Sequence, residues 1–146
     1  MTRTATEELN MEIVRRFFEK WPSSGDLEAA GAILAQDFTL HVPLPAPGPG
    51  IEAMNTVITS CRAAFHGLRV TIEDMMADGD RVTCRFTARG VHNGEFMGLP
   101  PTGKPIEMTG IEIFRLREGK IVELWGEANL MGLMHQLGIL PGPSTG

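Results

Sequence analysis

The sequence predicts an α+β fold, with three N-terminal helices packed into a curved antiparallel sheet and a short helix at the C-terminus. Three observations carry this. Apolar residues recur at helical spacing up to about residue 65, as at Met11, Val14, Phe17 and Phe18, and again at Met54, Val57, Ile58, Cys61 and Phe65. After Gly67 the period falls to two. Residues 109–130, TGIEIFRLREGKIVELWGEANL, then read as two strands joined by a tight turn. A curved sheet wrapped around helices makes a cone, and a cone leaves a mostly apolar pocket between the two layers.

Each element has a local reason. The first helix spans residues 6–21, with Thr6, Glu7 and Glu8 suited to its start and PSSG at 22–25 to its end. Asp26 is placed to cap a second helix, LEAAGAILAQ. Residues 37–42 form a short strand that Pro43 ends, and LPAPGPG is a loop. The third helix runs from about 51 to 65. Residues 68–76 and 81–91 are strands around the turn Asp78-Gly79-Asp80, with Val82, Cys84, Phe86 and Ala88 sharing a face. Residues 92–105, rich in Gly and Pro, make a long irregular hairpin connection. In the last hairpin Arg117-Glu118-Gly119-Lys120 is the turn, with Gly where a positive φ is cheap. A short helix over 130–137 and a flexible tail over about 138–146 complete one domain, 1–146.

Composition narrows the function. Hydrophobic residues at 42% and charged residues at 21% describe a soluble globular protein. The net charge of −5 and the absence of a basic run speak against nucleic acid. No apolar run reaches the ~18 residues of a membrane span. The polar N-terminus, MTRTATEELN, is not a signal peptide, and the expected location is the cytoplasm. The two cysteines, Cys61 and Cys84, lack metal-ligand spacing and are expected to stay reduced. No phosphate loop, nucleophile elbow or HExxH is present, so neither a metal nor another cofactor is implied.

One residue breaks the pattern. In IEIF, alternation puts Met108, Gly110, Glu112 and Phe114 on one face and Ile111 and Ile113 on the other. Glu112 is then a lone carboxylate on an apolar face, so it is paired, solvated by a cavity, or functional. On the opposite face, Ile111, Ile113 and Trp125, with Glu123 and Glu127 beside them, form a half-apolar row suited to a subunit interface. Arg85 and Arg89 fall out of step with Cys84 and Phe86, towards solvent or that interface. A homodimer, or a tetramer built from dimers, is the expectation.

The order of these elements resembles the cone-shaped nuclear transport factor 2-like fold. RFTARGVHNGEFMGLPPTGK and the IEIFRLREGKIVELW hairpin resemble the SnoaL-like polyketide cyclase family over nearly the whole chain. A more distant likeness is to ketosteroid isomerases, whose corresponding hairpin carries an acid where Glu112 stands. The resemblance implies cofactor-free acid–base chemistry on a polycyclic or polyketide-like carbonyl compound, such as an intramolecular aldol closure. Cyclases of the family carry His-Trp-Asp on the last strand, where this chain has Leu124-Trp125-Gly126. Ketosteroid isomerases carry a Tyr in the first helix and an Asp before the Pro after the first strand. Here Phe17 or Phe18 and Val42 occupy those places.

Glu112 is therefore the candidate acid–base residue, with His41, at the end of the first strand, as its assistant. His92 is expected to hold the irregular hairpin, and His66 and His135 to lie towards solvent. The candidate substrate walls are Phe17, Phe18, Cys84, Phe86, Met108, Phe114 and Leu124, with Gly126 leaving room near the floor. The alternatives are a non-catalytic small-molecule binding protein of the same fold, and a relative of the isomerases or epoxide hydrolases.

Overall fold

A computed structural model describes residues 2–20, 31–44, 46 and 48–139. The elements run α1 (Ala5–Lys20), β1 (Leu34–His41), α2 (Gly50–Ala64), β2 (Phe65–Asp78), β3 (Arg81–His92), β4 (Pro105–Arg117), β5 (Lys120–Ala128) and α3 (Leu130–Gln136). The expected capping by Asp26, most of the second helix, the break at 22–25, part of the 44–50 loop and most of the tail lie outside the described residues. Residues 31–33 are helical, and β1 begins at Leu34, three residues before the expected start.

The five strands lie in the order β1-β5-β4-β3-β2. β2 to β5 form the expected antiparallel meander. β1 departs from it, pairing parallel to β5 with Leu40 beside Leu124 and His41 beside Trp125. α1 packs on β2 and β3, α2 on β1 and β2, and α3 on β4.

The start of α1 explains its position. Thr4 and Glu7 form a reciprocal cap: Glu7 N–H donates to Thr4 Oγ1 at 3.1 Å, and Thr4 N–H donates to Glu7 Oε1 at 2.8 Å. The other Glu7 oxygen accepts Gly79 N–H at 2.8 Å, tying α1 to the β2–β3 turn. The Thr4 and Gly79 amides hold the Glu7 carboxyl below its ordinary range. Met11, Val14, Phe17 and Phe18 form the buried stripe. The rings of Phe17, Phe18 and Phe114 meet edge-on at 5.4–5.7 Å, and Phe86 stacks tilted at 5.9 Å from Phe18. Each buried ring contributes about 2–3 kcal/mol over exposure.

β3 alternates as expected, with Val82, Cys84, Phe86, Ala88 and His92 buried on the inner side. The β4–β5 turn has positive φ at both Glu118 and Gly119, the geometry of a two-residue hairpin loop. α3 is capped by Asn129, whose side chain accepts Gly132 N–H at 2.9 Å. Gln136 then clasps the β4 backbone at Glu107 twice, donating to its carbonyl and accepting its N–H, each at 2.7 Å. No described helix is long and apolar enough to cross a membrane.

Candidate active site

The cone encloses a partly open cavity of about 120 Å³. α1 contributes Phe17 and Phe18, and α2 contributes Met54, Val57, Ile58 and Cys61. The sheet contributes Phe86, Met108, Glu112, Leu124 and Gly126, and Leu133 of α3 closes the far end with Phe65 and Phe96. Helical and strand periodicity aim these side chains at a common space, and nearly all of them are hydrocarbon.

Glu127 and Glu112 are the exceptions, Glu127 exposed and on the outer side of the alternation, Glu112 on the inner side. The register sets Glu112 between Cys84 on β3 and Gly126 on β5. It is half-buried, and among the described residues no hydrogen bond or ion pair reaches its carboxyl. Burial raises its pKa from the ordinary 4.5 to about 8. At neutral pH the group is mostly protonated and can donate a hydrogen bond. Above about pH 8 it is mainly a carboxylate able to take a proton. A side chain at Gly126 would stand 3.1 Å from Val42 and 3.5 Å from the Glu112 stem, so the glycine keeps the space beside the carboxyl open. Gly110, one step along the same face, lies under the Phe86 ring. A Cβ there would come within 2.4 Å of a ring carbon, which explains a glycine in mid-strand.

Of the expected walls, Phe17, Phe18, Phe86, Met108, Leu124 and Gly126 line the cavity. Cys84 and Phe114 do not. Both are fully buried behind the wall, Phe114 locked against the two α1 rings and Cys84 packed in the main core. Burial, and secondarily the Glu112 charge, push the Cys84 thiol up to about 12. Cys61 does face the cavity, with its thiol raised by burial to about 11, so it stays protonated and is no nucleophile at neutral pH.

His41 is not brought to Glu112, contrary to expectation. The parallel pairing with β5 turns Leu40 inward beside Leu124, and Val42 reaches the cavity. His41 goes to the outer side beside Trp125. There its ring stacks on Trp125 at 5.5 Å, and its Nε2 bonds Glu123 at 2.8 Å. Glu123 also accepts from Arg115 at 3.1 Å. The His41 bond, followed by Arg115, holds the Glu123 carboxyl below its ordinary range. Both groups are solvent-accessible parts of an outer-face network.

His92 is fully buried on the inner side of β3. Its Nδ1 lies 3.0 Å from Thr102 Oγ1 and accepts the Thr102 N–H at 3.3 Å, pinning the 93–104 connection as expected. That acceptor role leaves the proton on Nε2, the one buried side-chain polar atom among the described residues without a partner. Sequence reasoning missed the α2 wall and the closing group of Phe65, Phe96 and Leu133. The helical stripe at Met54, Val57, Ile58 and Cys61 was the available signal for the first. Among the described residues, no cluster of three or more His, Cys, Asp or Glu is arranged to hold a metal.

Comparison with known proteins points the same way. The family model for SnoaL-like polyketide cyclase matches residues 12–137. A SnoaL-like protein of Jannaschia sp. CCS1, described as a proposed polyketide cyclase, is 24% identical over 97% of this chain and 99% of its own. Its TM-score is 0.87, a likeness of fold alone. IdmH of Streptomyces antibioticus, a proposed polyketide cyclase, is 36% identical over 88% of this chain and 98% of its own, at TM-score 0.78. AclR of Streptomyces galilaeus, described as a proposed hydroxylase, is 28% identical over 96% of this chain and 85% of its own, at TM-score 0.77. No functionally curated protein matches the chain.

Proposed function

The chain belongs to the SnoaL-like polyketide cyclase family, and from that premise we propose that it is a cofactor-free acid–base catalyst of carbonyl chemistry, with Glu112 as its proton-transfer group. The observation that carries this is an unpartnered carboxyl in a hydrocarbon-walled cavity, with its pKa raised to about 8. A structural carboxylate would be neutralised by a buried base, and among the described residues none reaches it.

The chemistry follows from that poise. As carboxylate, Glu112 removes a proton from the carbon next to a ketone. The resulting enolate carbon attacks a second carbonyl of the same molecule, forming the ring bond. The protonated carboxyl then returns the proton to the new alkoxide, so one group serves both half-steps and regains its starting state. The apolar walls hold the chain folded with the two carbons close, which is the larger share of catalysis in an intramolecular closure. The cavity of about 120 Å³ takes the reacting end of a polyketide-like compound, and the remainder stays at its mouth. Glu112→Gln keeps shape and hydrogen bonding but removes proton transfer. Turnover of a polyketide-type diketone is expected to fall about 10²-fold or more, with affinity measured by calorimetry nearly unchanged. An unchanged rate constant would refute the catalytic role, as would tight binding of nucleotides in place of ketones.

A second reading is favoured by one observation. Gly126 stands where the family's cyclases carry an acid, so Glu112 is the single carboxyl on the inner face of β4 and β5. A protein that binds ketones of this class with the protonated Glu112, and never turns them over, has the same walls. Ketone binding with no turnover in the parent protein would select it.

A further inference from the structure

Away from the cone's interior, the start of α1 and the two hairpin turns enclose a pocket of about 430 Å³. α1 contributes Leu9 and Asn10, the β2–β3 turn Gly79 and Asp80, the end of β4 Leu116, and the β4–β5 turn Glu118. These walls are tied to one another within the chain. Glu7 of α1 accepts Gly79 N–H at 2.8 Å, and the Asp80 carbonyl accepts Leu116 N–H at 2.8 Å. Asn10 is the anomaly. It is 4% exposed, one helical turn before Val14 on the buried face of α1. Among the described residues its side-chain amide has no hydrogen-bond partner. Unlike His92 Nε2, which is sealed from solvent, the amide opens into the pocket. An amide so enclosed meets little of its hydrogen-bonding capacity with water, and a ligand that bonds it makes good the shortfall. The pocket's charge has one sign. Asp80 and Glu118 are exposed, and neither carboxylate makes an ion pair or hydrogen bond among the described residues. No base lines the pocket, and the bases next to it in the chain are engaged. Arg81 lies 5.4 Å over the Trp125 ring, and Lys120 donates to the Ala32 carbonyl at 3.2 Å. Leu9, 55% exposed, and buried Leu116 add an apolar wall.

We propose that this pocket binds a small organic cation, a primary ammonium on a short alkyl stem. The ammonium donates to the Asn10 carboxamide oxygen and to the Asp80 and Glu118 carboxylates, and the stem packs on Leu9 and Leu116. The size of the space favours an organic ion over a bare metal. A single water claims only about 30 Å³ of liquid volume, far less than this pocket holds. Calcium, the metal that oxygen donors suit, takes about six to eight of them, and the side chains here supply two carboxylates and one amide. A quaternary ammonium is the wrong cation as well. It has no N–H to give to three acceptors, and the aromatic rings that recognise such ions are missing from the lining. The pocket lies on different elements from the cavity that holds Glu112, so this proposal is independent of the chemistry inside the cone.

Amide-detected NMR of the full chain tests both the place and the chemistry. The Asn10 side-chain amide and the Gly79 backbone amide would be followed while pentylammonium chloride is added. Saturable shifts at both are expected, in the millimolar range. Pentanol, which lacks the charge, and pentyltrimethylammonium, which lacks the N–H donors, are each expected to bind at least about tenfold more weakly. Calcium chloride is expected to leave both amides in place. Asn10→Leu keeps the side-chain volume, and the double variant Asp80→Asn with Glu118→Gln alters exposed groups alone. Each is expected to weaken pentylammonium binding at least about tenfold, read at Gly79. Circular dichroism would verify folding, and should Asn10→Leu fail to fold, the double variant decides. Shifts that do not saturate would overturn the proposal. So would pentanol, pentyltrimethylammonium or calcium binding as well as pentylammonium, or a folded variant that binds like the parent.

Discussion

On β4, Glu112 stands one residue from Ile111 and one from Ile113, and the alternation of the strand sends them into different surroundings. Inward, a carboxyl meets hydrocarbon and has no partner among the described residues, and burial keeps it mostly protonated at neutral pH. Outward, Glu123 on β5 is flanked by His41 and Arg115 in contact with solvent, and its pKa falls. Two glutamates of one hairpin are thus pushed to opposite sides of their ordinary range by what faces them. The same element presents a carboxyl to the cavity on one side and a surface network on the other.

Substitutions can break this contrast or sharpen it. The largest effect is expected from Phe114→Ala, which empties a fully buried ring site between Phe17 and Phe18 and should cost about 3–5 kcal/mol in denaturant unfolding. Ile113→Thr, one residue away on the outer face, should change stability by less than about 1 kcal/mol. Similar losses at both positions would erase the distinction between the faces.

Glu112→Gln should reveal an intermediate effect that depends on pH. The folded protein holds the Glu112 proton up to about pH 8, whereas the unfolded chain releases it near its ordinary 4.5. Between those values the native state binds more protons, so stability falls as pH rises through the window. The glutamine variant escapes that loss. It should match the parent near pH 4 and exceed it by on the order of 2–4 kcal/mol at pH 9. Equal pH profiles for the two proteins would mean that the carboxyl is solvated or paired.

The smallest effect is expected on the outer face. His41→Ala removes one arm of an accessible network and should cost less than about 1 kcal/mol. Turnover should not change, since the ring lies on the far side of the sheet from the cavity. A tenfold drop in the rate constant would return His41 to the reaction.

The sequence made the faces legible more readily than the path of the first strand. Period-two alternation sorted Glu112 from Ile111 and Ile113 correctly, because a strand has no other way to distribute its side chains. It also placed the buried row of β3. What it could not show was that β1 runs parallel to β5, since pairing partners are a matter of topology and not of local pattern. The side of His41 was legible, because alternation sets it with Asp37 and Thr39, opposite Phe38, Leu40 and Val42. Alternation also cannot distinguish an inward residue that lines a cavity from one sealed beneath it. Phe114 and Phe86 look alike on paper. Only the packing of the α1 rings buries the first and leaves part of the second open. The outer patch is less apolar than IEIF and LW suggested, because His41 and Arg81 cover much of Trp125.

Gln136 carries a consequence for how the cone could open. β5 ends at Ala128, so past Gly110 the β4 backbone has no strand beside it on that side. The side-chain amide of Gln136 supplies one donor and one acceptor at Glu107, as a neighbouring strand would. The helix that carries it also carries Leu133, which closes the far end of the cavity. Lifting α3 to widen the cavity would therefore unmask a bare sheet edge, of the kind that recruits other chains into aggregates. Widening of the cavity by that route and resistance to aggregation are set against each other by a single amide. Because the Glu107 N–H is free to exchange with deuterium only when that amide lets go, its protection reports how often the helix leaves the sheet.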